Sequence, residues 1–231
     1  MLWQWILGVW MGGVLTAAFL IPMPTEGFQD AEGYRTVFFH VPLAITATLA
    51  FGVATFESGM YLRRRDLRAD DHAATAAELG LLFAFLATVT GAIFSGTQWA
   101  NPPRFMQWNW DPRQTAMVIL MVLYGAYLAL RAAVEDEEVR ARLSAAYAVF
   151  AFFPMLFLMF LTRPELIRLL ERAGVSLQTL HPQRAPLETL QKMVLMAAMG
   201  GFLGIYAWLH RLGVATLRLD RRLKEGGDRV R

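Results

Sequence analysis

The sequence predicts an all-α fold: a polytopic membrane protein built as a six-transmembrane helix bundle, with a tryptophan-rich external loop and a short amphipathic external helix. Three observations carry this. Hydrophobic residues make up 56% of the 231 residues and charged residues 18%, where a soluble domain carries roughly a quarter charged residues. The apolar runs reach the ~18–20 residues that cross a bilayer. None of them alternates strictly between apolar and polar, so helices rather than barrel strands span the membrane.

Spans are expected at residues 2–22, 36–61, 74–96, 115–134, 143–161 and 188–209. The first resembles a secretion signal in length. It has no basic start, however, and Gly12, Gly13, Thr16, Ala17 and Ala18 lie inside an apolar stretch that continues to Pro22. It reads as a retained helix. In the second span, Pro42 suits the first turn of a helix, which places His40 where that helix begins. Glu57, near the middle of the same span, is costly in hydrocarbon unless paired or hydrated. Snorkelling to Arg63 and a contact with a partner subunit both account for it. A charged connector, Arg63 to His72, leads to the third span, and residues 97–114 form the tryptophan-rich loop.

Asp111 followed by Pro112 reads as N-cap and first helical residue of the fourth span. After the fifth span, Pro164 to Gly174 has a proline start, a glycine stop and leucines at helical spacing, the pattern of an amphipathic helix on the membrane surface. The sixth span carries Ala197, Ala198, Gly200, Gly201 and Gly204, small residues that favour close helix packing. Residues 210–231 form a basic tail with a fraying end. The whole, 1–231, is one membrane domain without linker or repeat.

Basic residues orient it. The termini's side holds Arg63, Arg64, Arg65 and Arg68, then Arg131, Arg140 and Arg142, then the tail, roughly twice the basic residues of the opposite side. By the positive-inside rule both termini are cytoplasmic, and the tryptophan loop, the start of span two and residues 162–187 face outward. The net charge of +3 comes from arginines at membrane surfaces, not from a nucleic-acid-binding stripe. There is no cysteine, which excludes iron–sulfur clusters and cysteine-ligated zinc.

Candidate chemistry concentrates on the outer side. Trp99, Trp108 and Trp110 stand in one connector with Arg104, Asp111 and Arg113. A single tryptophan there is an ordinary interfacial anchor; three in one loop beside arginines suit a flat apolar ligand with acidic groups. Trp108 and Trp110 are two apart, so an extended loop points both rings the same way. Arg113 lies in the first turn of a helix, where the dipole disfavours it, and so calls for a partner such as Asp111 or a ligand carboxylate. Arg35, Arg104 and Arg184 are further carboxylate candidates.

Of the four histidines, His72 lies beside Asp70 and Asp71, where a solvated or capping role is expected, and His210 reads as an interfacial residue. His40 and His181 both fall on the outer side, each at the entrance to a span and each closely followed by proline. Satisfying a backbone group at a helix end would account for His40. Iron ligation would account for it equally, since two imidazoles from opposite faces make a six-coordinate haem site.

These residues resemble the tryptophan-rich haem-handling family, in particular the heme exporter protein C (CcmC) branch of cytochrome c maturation. The family's loop runs approximately Trp-Gly-x-x-Trp-x-Trp-Asp-x-Arg-x-Thr. Trp108, Trp110, Asp111, Arg113 and Thr115 match its second half, Trp99 has an upstream counterpart, and Arg104-Phe105 stands where the family has Trp-Gly. Tyr34, Arg35, His40 and Pro42 match the segment before the first histidine, and Thr179-Leu180-His181 resembles the setting of the second.

The resemblance implies a non-enzymatic role in which haem b is held transiently and non-covalently at the outer face of a bacterial inner membrane. His40 and His181 would be its axial ligands and Trp99, Trp108 and Trp110 its platform, with Asp111 and Arg113 shaping the loop. The implied partners are a CcmE-like periplasmic haem chaperone, the ABC-type subunits CcmA and CcmB, and a CcmD-like small subunit. Three alternatives stay open: a CcsA-like cytochrome c synthase subunit, a transporter subunit whose loop docks a partner, and a scaffold of an export complex without haem.

Overall fold

The computed structural model describes residues 2–23, 29–108, 110, 112–161, 169, 172–174 and 187–228. Six long helices run through them: α1 (Leu2–Leu20), α2 (Val37–Arg64), α3 (Leu67–Trp99), α4 (Pro112–Ala133), α5 (Glu137–Leu161) and α6 (Thr189–Asp228), with a 3-10 turn at Gly33–Thr36 before α2. All six are long and apolar enough to cross a membrane.

Helices α2 and α3 form the centre. They are joined by a two-residue turn in which Arg65 takes a left-handed conformation (φ 57°) and donates its N–H to the Tyr61 carbonyl at 2.7 Å. Asp66 then caps α3 by accepting from the Arg68 N–H at 2.9 Å. Helix α2 also packs on α5 and α6, and α3 on α4 and α6. The shared core is lined by alanines, Ala47, Ala54, Ala76, Ala77, Ala84, Ala87 and Ala148, around Phe51, Phe83, Tyr124 and Tyr127. Small residues let the backbones approach, and close packing, not water exclusion, is what holds helices together in lipid. The Phe51 and Tyr124 rings stack at 3.6 Å. Large apolar side chains such as Phe56, Phe85, Val122, Phe150 and Phe153 point outward, as they do where the solvent is hydrocarbon.

Helix α1 lies against α6. The small residues expected to pack closely do so: a side chain at Gly201 would run into Met11, and one at Gly204 into Leu7. The Trp10 indole N–H also donates to the Ala197 carbonyl at 2.9 Å.

Two boundaries differ from the sequence reading for one reason. Helix α3 begins at Leu67, so the stretch expected as a connector up to His72 is helical, and α6 continues through residues expected as a tail. Their charges pair across helices. Arg131 grips Asp70 with two bonds of 2.7 and 2.9 Å. Arg221 grips Asp71 at 2.6 and 3.0 Å and reaches Glu137 at 2.8 Å. Asp70 and Asp71 are each 2% exposed. The solvated role expected for His72 is therefore corrected: Arg218 donates to its ring at 3.2 Å, and its backbone carbonyl lies 3.2 Å from the His210 ring nitrogen. His210, expected as an interfacial residue, stands 5.2 Å from His72, ring to ring.

Pro42 sits within α2, not in its opening turn, because the helix already begins at Val37. Of the expected surface helix 164–174, only its end is described: Ala173 donates to the Leu169 carbonyl at 3.1 Å and Gly174 takes φ +83°, the left-handed stop that glycine supplies.

Candidate functional site

At the end opposite these ion pairs, the loop after α3 turns back along its own helix. The Arg104 N–H donates to the Gly96 carbonyl and the Gln107 N–H to the Ala92 carbonyl, each at 3.0 Å. Descending from 96 to 92 as the loop runs from 104 to 107, it lies antiparallel on α3. Gly96 makes this possible. A Cβ there would stand 2.6 Å from the Arg104 carbonyl oxygen and 2.7 Å from the Met106 backbone, so any side chain would lift the loop off.

One residue further down α3 is the place of His40. It occupies the first turn of α2, and its Nδ1 lies 2.9 Å from the Ala87 carbonyl oxygen and 3.4 Å from the Thr90 hydroxyl. A carbonyl can only accept, so Nδ1 carries a proton, which in the neutral ring leaves the lone pair on Nε2. Gly91 lies beneath the ring: a Cβ there would stand 2.9 Å from Cε1 and 3.2 Å from Nδ1. The histidine and the pinned loop thus share one stretch of α3, residues 87–96.

The tryptophans do not form a single sheet. Trp99, the last residue of α3, packs edge-on against Phe94 at 5.3 Å, within a cluster that includes Tyr34, Val37 and Phe38. Trp108 and Trp110 meet edge to face, 5.4 Å apart at 83°. The extended backbone expected to point both rings the same way is interrupted at Trp110, which takes φ +50°. Trp110 is 67% exposed and Phe105 75% exposed, giving the loop an open apolar lip. The buried indole N–H of Trp108 has no acceptor among the described residues.

Arg35 is engaged in holding the bundle. Its guanidinium donates to both Glu32 carboxylate oxygens at 2.6 and 3.0 Å, and to the Ala18 and Ile21 carbonyls at 2.9 and 2.7 Å. Those carbonyls end α1, where a cation suits the helix dipole. The Arg35 hydrogen bond holds the Glu32 carboxyl below the ordinary carboxylate range. Two glutamines stitch the neighbouring connector to α3, Gln98 to the Asp30 carbonyl at 2.6 Å and Gln29 to the Ala100 carbonyl at 2.7 Å. Arg104 is exposed. His181, Arg184, Asp111 and the side chain of Arg113 lie outside the described residues.

Gly91 and Gly96 were not singled out by sequence reasoning, although glycines inside an apolar helix are a signal of close approach. Glu57 is placed by α2 near Tyr206 and His210 of α6, and it is half-buried.

The profile of the family described as CcmC, heme exporter protein C, matches residues 1–224. Among individual relatives, a heme exporter protein C of Bradyrhizobium diazoefficiens is 33% identical over 120 residues, 52% of this chain and 44% of that protein. One from Paracoccus denitrificans is 32% identical over 130 residues, 56% of this chain and 51% of its own. One from Haemophilus influenzae is 27% identical over 190 residues, 79% of this chain and 70% of its own. The matched stretch spans about half the length of the first two relatives. With its six apolar helices and a family match over nearly its whole length, the chain belongs to the heme exporter protein C family.

Proposed function

We propose that this protein is the haem-binding membrane subunit of a cytochrome c maturation system, which presents haem at the outer face of a bacterial inner membrane and hands it to a CcmE-like periplasmic chaperone. The observation that carries this reading is the pairing of His40 with the pinned tryptophan loop on residues 87–96 of α3. The reading is supported by an imidazole whose Nδ1 is held by α3, and by a loop on the same helix with an apolar lip and an indole N–H that lacks an acceptor among the described residues. That set of groups fits haem: nitrogen for iron, apolar faces for the macrocycle, and donors for the propionates.

In this reading His40 and His181 take the two axial positions. Trp108 and Trp110 cover the macrocycle and Trp99 fixes the end of α3 behind them. Trp108 Nε1, Arg104, Arg113 and Arg184 supply propionate donors, while Arg35 keeps the end of α1 in place. Asp111 caps α4 and so shapes the loop. The chain's part is binding and release, with no bond of haem made or broken, and a shallow site at helix ends suits release because loops move without unpacking the bundle. CcmA- and CcmB-like subunits and a CcmD-like small subunit complete the assembly, with both termini cytoplasmic.

Hemin titration of the detergent-purified protein, wild type against His40→Ala/His181→Ala, tests the reading. A low-spin absorption spectrum that is lost in the double variant is expected. Wild type that takes up no hemin, or a spectrum indifferent to both substitutions, overturns it.

A further inference from the structure

We infer that the Ala87–Gly91 turn of α3 is a seat built for the His40 ring, with Gly91 and Thr90 acting as positioning residues that fix its tautomer and its direction toward the ligand. This rests on the reading of His40 as an iron ligand, but it assigns work to residues of α3 that themselves touch no haem.

Two independent constraints meet at the ring. The Ala87 carbonyl holds Nδ1 at 2.9 Å, with the Thr90 hydroxyl at 3.4 Å. That hydroxyl is itself held by the Leu86 carbonyl at 2.8 Å, so it is a fixed point. Gly91 then sets how closely the ring lies on the helix: the space of its missing Cβ is bounded by Cε1 at 2.9 Å, Nδ1 at 3.2 Å and Nε2 at 3.8 Å. The two nitrogens of imidazole point in widely divergent directions. A ring pinned at Nδ1 and pressed at Cε1 therefore directs Nε2 away from the Ala87 carbonyl.

A histidine that merely satisfies a helix end needs the first contact and not the second. Glycine is a poorer helix former than alanine, and at Gly91 the ring is what fills the space the missing side chain leaves. Partners that hold the non-ligating nitrogen of a metal-binding histidine fix its tautomer and orientation, and losing them typically lowers metal affinity about 10–100-fold.

The test compares hemin titrations and electron paramagnetic resonance of purified wild type, Gly91→Ala, His40→Ala and the double variant His40→Ala/Gly91→Ala. Gly91→Ala is expected to bind hemin about 10–100-fold more weakly and to shift from low to high spin. Its circular dichroism stays as in wild type, and added imidazole restores the low-spin signal. In the double variant, Gly91→Ala adds nothing to the loss caused by His40→Ala, because it acts through that ring. Gly52→Ala is the control, since a Cβ at Gly52 meets nothing within 4 Å.

Wild-type affinity and spectrum in Gly91→Ala, or a further loss on the His40→Ala background, overturns the seat while leaving the haem reading intact. Absence of hemin uptake by wild type, or a wild-type spectrum in His40→Ala, overturns the haem reading and the seat with it. If Gly91→Ala fails to fold, Thr90→Val carries the same comparison: a smaller loss in the same direction is expected, and wild-type behaviour overturns the proposal.

Discussion

The two ends of the bundle handle their polar groups in opposite ways. At the arginine-rich end, Asp70 meets Arg131, and Asp71 and Glu137 meet Arg221; His72 meets Arg218 and His210. The network ties α3, α4, α5 and α6 together, with Arg218 Nε set 3.8 Å from the Asp71 carboxylate. At the tryptophan end an indole N–H stays without an acceptor among the described residues, and Phe105, Met106 and Trp110 are exposed. One end uses its chemistry for cohesion and the other presents it outward. Residues that look equally functional in composition thus divide into those paired within the bundle and those left at its open surface.

Removing Arg131 should produce the largest effect on the closed end. Asp70 would be left as a buried charge without a partner, and breaking such a pair typically costs about 3–5 kcal/mol. Arg131→Ala should therefore lower the thermal unfolding temperature in detergent sharply, while the fraction that stays folded binds hemin as wild type does. A large fall in hemin affinity without loss of stability would break the division between the two ends.

What the sequence revealed follows the same division. Six spans were legible because hardly anything except a bilayer calls for so many apolar runs of its own thickness, and the small residues of α6 marked its contact with α1. The ends of α3 and α6 were not legible. Asp70, Asp71, Arg218 and Arg221 look solvated when their partners are up to 150 residues away in the chain, and pairing is a property of the fold. At the tryptophan end the residue types were legible and their geometry was not. Trp110 takes a left-handed turn and its ring meets Trp108 edge-on, and no spacing rule announces a positive φ at tryptophan. Arg35 had the right charge for a propionate, yet the end of α1 and Glu32 engage its guanidinium.

Trp108→Phe sharpens the comparison at the open end. The substitution keeps an aromatic face and removes only the N–H. Because that N–H has no protein acceptor among the described residues, stability should change little. If it donates to a propionate, the loss is that of a hydrogen bond to a charged group, about 1.5–3 kcal/mol, or roughly 10–100-fold in hemin affinity. Unchanged affinity would mean that the indole covers the macrocycle without binding its carboxylates.

The smallest effect belongs to Glu32, which joins neither group fully. Its carboxylate is exposed, and its bond to Arg35 lowers its pKa. A lowered folded pKa means that the stabilisation is present above the unfolded carboxylate value of about 4.3 and fades as pH falls through the folded value. Glu32→Gln should remove that acid-side dependence from the unfolding temperature and leave the neutral-pH value nearly unchanged, because solvent screens an exposed pair. Arg35 would still hold the Ala18 and Ile21 carbonyls, so the end of α1 should stay in place. A marked fall at neutral pH would mean that Glu32 orients Arg35 for those carbonyls, and the boundary of the closed polar network would then extend to the tryptophan end as well.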